Sequence, residues 1–134
     1  MKLDHVGMSV CNLEKSQRFY GGVVGFTTLE DSFQLAAFEI RGVVLVNAHG
    51  ARVELFERRG STPAAAGHPT DSTLRQGLFQ FALSVTDLEA TFQRVTAAGA
   101  VPVMKPRIAP DGRTLIAFIG DPDGNLIELL QRPP

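Results

Sequence analysis

The sequence has a single cysteine, Cys11, no tryptophan and one tyrosine. One thiol cannot build an internal disulfide framework, so a hydrophobic core must hold the fold, and a reducing compartment suits it. No run approaches the roughly 18 uninterrupted apolar residues of a membrane-spanning helix. The opening "MKLDHVGMSV" puts an Asp and a His where an export signal needs its apolar stretch, so a cytoplasmic location and no membrane partner are expected. Charge of one sign is also lacking: the formal net charge is −1. Nucleic acid, which calls for a clustered basic face, is therefore not an expected partner. Phosphate-binding loops and dinucleotide fingerprints are absent as well.

What is present is a repeat. "HVGMSVCNLE", from His5, overlays "QFALSVTDLE", from Gln80, at an offset of 75 residues. Ser9/Ser84, Val10/Val85, Leu13/Leu88 and Glu14/Glu89 are identical in that overlay. "GARVELFE", from Gly50, overlays "GNLIELLQ", from Gly124, at an offset of 74, which sets Glu54 over Glu128 and Gly25 over Gly99. Several matches at nearly one spacing define two similar modules. The 134 residues suit one domain, with modules over 1–57 and 78–134 joined by a linker over 58–77. That linker is rich in Gly, Pro, Ser and Thr, and its length suits a functional loop or flap.

Each module shows the same order of local signals. Alternating apolar residues predict strands over 3–10 and 79–85. Asn12 is a helix cap in the first module, and Thr86 to Glu89 reads as a T-x-x-E capping box in the second. The helices are expected to run to about Tyr20 and Ala98, with Gly99 just past the second. Three strands close each module, over 26–30, 34–46 (with a break at Gly42) and 52–57 in the first, and over 102–105, 114–119 and 126–130 in the second. The Asp-Gly of "DPDGN" marks a hairpin turn. The pattern is βαβββ, twice, an α+β fold.

Side chains alternate across a strand, so parity assigns faces. Val6, Met8 and Val10 lie opposite His5, Gly7 and Ser9, and Phe81, Leu83 and Val85 lie opposite Gln80, Ala82 and Ser84. In the closing strands, Val53 and Leu55 oppose Glu54, as Ile127 and Leu129 oppose Glu128. One face of each sheet thus carries His5 and Glu54, or Gln80 and Glu128, among small or apolar neighbours. Carboxylates there need a partner, a proton or a cation. Imidazole, amide oxygen and two carboxylates are together competent to hold a divalent ion of the Zn, Ni, Co, Mn or Mg kind. Other polar residues read as structural: His49 and His68 as loop histidines, Asp121 and Asp123 as turn residues.

The stretches "LDHVGMSVCNLEKSQRFY", "FALSVTDLEATFQRVTAAGA" and "RTLIAFIGDPDGNLIELLQ" resemble the recurring segments of the vicinal oxygen chelate superfamily. That superfamily includes glyoxalase I, extradiol dioxygenases and bleomycin-resistance proteins. The resemblance implies two βαβββ modules forming an open, barrel-like mixed sheet around a cleft, with helices outside and homodimers common. It implies a divalent metal (Zn, Ni, Co or Mn) held by His5, Glu54, Gln80 and Glu128, and a small-molecule substrate. It further implies a lyase or isomerase that stabilises an enolate, with Glu128 as the base and Glu54 as its symmetric partner. Two anchors for glutathione that glyoxalase I enzymes carry as Arg and Asn fall here on Ser9 and Arg58, which points to a different substrate. A metal-free binding protein of the bleomycin-resistance type is the alternative. An extradiol dioxygenase would use His5, Gln80 and Glu128 as its iron triad, and Gln80 in place of a second His weakens that reading.

Overall fold

A computed structural model describes residues 1–63 and 67–134. Part of the 58–77 linker, residues 64–66, lies outside the described residues. The chain divides into two compact units whose boundary falls at residue 63.

The first unit holds β1 (His5–Val10), α1 (Leu13–Phe19), β2 (Thr28–Leu35), β3 (Ile40–Val46) and β4 (Arg52–Arg58). Its sheet runs β1-β4-β3-β2, with β1 parallel to β4 and the other neighbours antiparallel. The second unit holds α2 (Pro69–Ser72), β5 (Gln80–Ser84), α3 (Leu88–Ala97), β6 (Val101–Ile108), β7 (Leu115–Gly120) and β8 (Leu126–Gln131). Its sheet repeats the order as β5-β8-β7-β6, again with one parallel pair, β5 with β8. The expected double βαβββ pattern is what forms, as two four-stranded mixed sheets.

Parity explains the cores. Val10, Val43, Leu45, Val53 and Leu55 are buried beneath Leu13, Phe19, Tyr20 and Val23 of the first helical segment. Ala117, Ile119, Ile127 and Leu129 are buried beneath Leu88, Phe92 and Val95, which recur at helical spacing along α3. Each sheet therefore buries one face under its own helix.

Both helices start alike. Asn12 and Asp87 adopt extended conformations and accept from the backbone N–H of Lys15 (2.8 Å) and Ala90 (3.0 Å). The expected capping box is corrected here: Asp87, not Thr86, is the cap. Its carboxylate stands where the isosteric Asn12 amide stands in the first unit. The N–H of Leu13 is taken by Glu57 Oε2 at 2.6 Å, and that of Leu88 by Gln131 Oε1 at 2.7 Å. Side chains from the ends of β4 and β8 thus satisfy donors that a helix start leaves open. Past the helices, Gly25 and Gly99 take φ of +104° and +110°, a region open to glycine.

Three boundaries depart from expectation. α1 ends at Phe19 and continues as a π-helical turn, Tyr20–Val24. The break predicted at Gly42 falls instead at a 3₁₀ turn, Ala36–Phe38, after which Glu39 has a φ of +53°. Gly42 stays in β3 because the Phe33 ring fills the space where its side chain would stand. In the linker, His68 caps the short α2, with Nδ1 2.8 Å from Thr70 Oγ1.

Candidate functional site

The face of each sheet turned away from its helix carries a donor pair. In the first unit, Gly7 of β1 lies opposite Glu54 of β4, and His5 lies opposite Arg52. This places His5 Nε2 3.0 Å from Glu54 Oε2. The other imidazole nitrogen, Nδ1, stands 2.9 Å from Asp4 Oδ1. Hydrogen bonding to Asp4 raises the His5 pKa above the ordinary imidazole value, with the Glu54 charge adding to it. Asp4 escaped the sequence reading because its significance comes from touching His5, and adjacency alone does not show contact.

In the second unit, Ala82 of β5 lies opposite Glu128 of β8, and Gln80 opposite Leu126. Gln80 Nε2 donates to Glu128 Oε2 at 2.7 Å. Burial pushes the Glu128 carboxyl above its usual range, and the Gln80 hydrogen bond works in the opposite direction. Repeat-equivalent positions thus hold a titratable imidazole–carboxylate pair in one unit and an amide–carboxylate pair in the other.

The donor chemistry fits a divalent cation. In each pair a carboxylate stands beside an imidazole or an amide, donor types that suit a divalent cation. His5 Nε2 and Glu54 Oε2 are in hydrogen-bond contact at 3.0 Å, and a half-turn of the Gln80 amide would present Oε1 in place of Nε2. Each unit by itself supplies only two donors. Among the described residues, no three or more His, Cys, Asp or Glu side chains form a ready-made metal-holding group.

The other polar residues read as structural behave so. Asp121 is buried, and its carboxylate accepts from the N–H groups of Asp123 (2.9 Å) and Asn125 (2.8 Å), shaping the hairpin turn. His49 donates its backbone N–H to Asn47 in the β3–β4 turn. Cys11 is exposed. Arg41, not singled out from sequence, joins Glu14 of α1 to Glu57 of β4, at 2.9 Å from the latter.

This fold belongs to a known class. The family model for the Glyoxalase/Bleomycin resistance protein/Dioxygenase superfamily matches residues 2–129, and the chain is a member of that superfamily. Among its relatives is a Neisseria meningitidis serogroup A protein named "Lactoylglutathione lyase". It is 32% identical, the alignment covering 98% of this chain and 91% of the relative. A Vibrio cholerae protein named "Probable lactoylglutathione lyase" is 31% identical over 95% of this chain and 88% of its own. In structure, the glyoxalase family protein from Enterococcus faecalis superposes with a TM-score of 0.81 at 21% identity, covering 96% of each chain. No helix among the described residues is long and apolar enough to cross a membrane.

Proposed function

We propose that the protein is a divalent-metal-dependent lyase or isomerase of the glyoxalase I type, acting on a small oxygenated substrate. The observation that carries this reading is the pair of repeat-equivalent donor contacts, His5 to Glu54 at 3.0 Å and Gln80 to Glu128 at 2.7 Å. On this reading His5, Glu54, Gln80 and Glu128 together hold one Zn, Ni, Co or Mn ion, and residues 1–134 act as a single functional domain. The modules supply their pairs within one chain or across a homodimer.

A bound divalent ion would supply Lewis-acid stabilisation of charge developing on substrate oxygens. The chain's own residues do the rest. Glu128 accepts the substrate proton, and Glu54 stands as its counterpart on the first unit. Asp4, bonded to Nδ1, holds the His5 ring so that Nε2 faces outward to a ligand, a role carboxylates commonly fill behind metal-bound histidine. The relatives' names make lactoylglutathione the first substrate to try, with lactoyl esters of other thiols compared because Ser9 and Arg58 stand at the expected glutathione anchors.

Metal analysis of protein purified without an affinity tag tests the reading, followed by titration with Ni²⁺, Zn²⁺, Co²⁺ and Mn²⁺. Bound metal with chelator-sensitive isomerisation is expected; no metal content and no uptake would sink it. The metal-free binding-protein reading draws on the same contacts, since each pair closes a hydrogen bond by itself. It requires ligand binding that is indifferent to chelators.

A further inference from the structure

The site face of the first unit carries a feature that its repeat does not. Phe33 on β2 and Phe56 on β4 stack edge to face, ring centroids 5.6 Å apart and planes at 64°. Both flank Gly42 of β3, which lies opposite Phe33 on one side and opposite Phe56 on the other. A Cβ at Gly42 would stand 2.4 Å from Phe33 Cζ and 2.8 Å from the Leu55 carbonyl oxygen, so the ring occupies the place of a side chain. The Phe56 ring reaches toward Gly7, where a Cβ would stand 3.4 Å from Cε2. Gly7 lies between His5 and Ser9 on the same face and opposite Glu54 in register. The aromatic pair therefore adjoins the His5–Glu54 donors, and glycine keeps the surface between them low.

The fold does not need this arrangement. In the second sheet the register positions equivalent to Phe33, Gly42 and Phe56 are Arg107, Ile116 and Leu130. The same backbone forms there without stacked rings. Both phenylalanines stay half-buried on the face that the helix leaves uncovered, and hydrocarbon on an open face beside polar donors suits a ligand. Arg52, opposite His5 in register, is held by Glu30 at 2.7 Å.

We infer that Phe33 and Phe56 form a platform that selects substrates with a planar, apolar flank (an aryl or conjugated group) next to the paired oxygens bound at the His5–Glu54 end. The inference rests on the metal-site reading above.

The test uses Ni²⁺ and two hydroxamates that offer the same oxygens, benzohydroxamate and acetohydroxamate. Calorimetry first measures Ni²⁺ uptake by the metal-free protein. The two probes are then compared on the loaded protein and on its Phe56→Leu and Phe33→Leu variants. The platform predicts that benzohydroxamate binds about five-fold or more tightly than acetohydroxamate. It also predicts that this ratio falls toward one in both variants, and that on protein loaded with diamagnetic Zn²⁺ the Phe33 and Phe56 ring resonances shift with benzohydroxamate and not with acetohydroxamate. Leucine keeps the volume apolar, and Phe33→Leu carries the same reading should Phe56→Leu fold poorly. Equal binding of the two probes, or a ratio unchanged by the substitutions, overturns the platform while leaving the metal site standing. Absence of Ni²⁺ uptake overturns the metal site and the platform with it.

Discussion

The two units share a backbone plan and differ in what they hang on it. The first pairs imidazole with carboxylate, braces its helix with Glu57 under Arg41, and stacks two phenylalanines over a glycine. The second pairs amide with carboxylate and braces its helix with uncharged Gln131. At the positions of the aromatic stack it has Arg107, Ile116 and Leu130. Register and capping are common to both, so they belong to the fold. The unlike side chains at like positions are what the fold leaves free to vary, and the imidazole is confined to the first unit's pair.

The largest effect expected from breaking this comparison is at the carboxylates. Replacing Glu54 or Glu128 by Ala should each lower metal affinity by at least about 100-fold, measured by calorimetry, since ligand loss should exceed the 10–100-fold typical of outer-shell partners. An uneven outcome would show which unit dominates the site. His5→Gln would make the pairs alike. In the wild type, metal uptake should weaken as pH falls through the raised imidazole value, because a protonated ring has no lone pair to give. That loss should begin above the ordinary value of about 6.5 and disappear in the variant.

Gly42→Ala is the next largest. The added Cβ meets both a ring and a backbone carbonyl, so overpacking should cost about 1–3 kcal/mol in urea unfolding. Introducing Ala at Gly120, whose Cβ would stand 3.4 Å from Val101 Cβ, should cost less. Asn12→Ala and Asp87→Ala should each cost about 1 kcal/mol, and similar losses would confirm that the two caps are equivalent.

The smallest effect separates the two braces. Hydrogen bonding from Arg41, then from the Leu13 N–H, holds the Glu57 carboxyl below the ordinary carboxylate range. A carboxyl depressed on folding contributes stability that is complete above its unfolded value, about 4.3, and is lost as pH falls through the lower folded value. Glu57→Gln should therefore flatten the acid side of the stability profile while keeping the Leu13 contact. Gln131→Glu should introduce a new acid dependence in the second unit.

The four donor positions were legible because two independent regularities met on them. The repeat set His5 over Gln80 and Glu54 over Glu128, and strand parity put His5 with Glu54, and Gln80 with Glu128, on one face of their own sheet. The capping residue of α3 was misread because Thr86 and Asp87 are both good caps, and the choice depends on where β5 releases the chain. The Gly42 break was misread because a glycine in a strand signals a bend or a close neighbour equally well. Only the position of the Phe33 ring chooses between them.

By itself the sequence determined the double βαβββ plan, the buried and open face of each strand, and the four polar residues on the open faces. These follow from periodicity, which is local and survives without knowledge of contacts. Tertiary structure decided the contacts between side chains: Asp4 behind His5, Glu57 and Gln131 on the helix starts, Arg41 across two carboxylates, and one phenylalanine laid over a glycine from a neighbouring strand. Such contacts depend on register and on side-chain reach between distant segments, and these are set only when the sheets assemble.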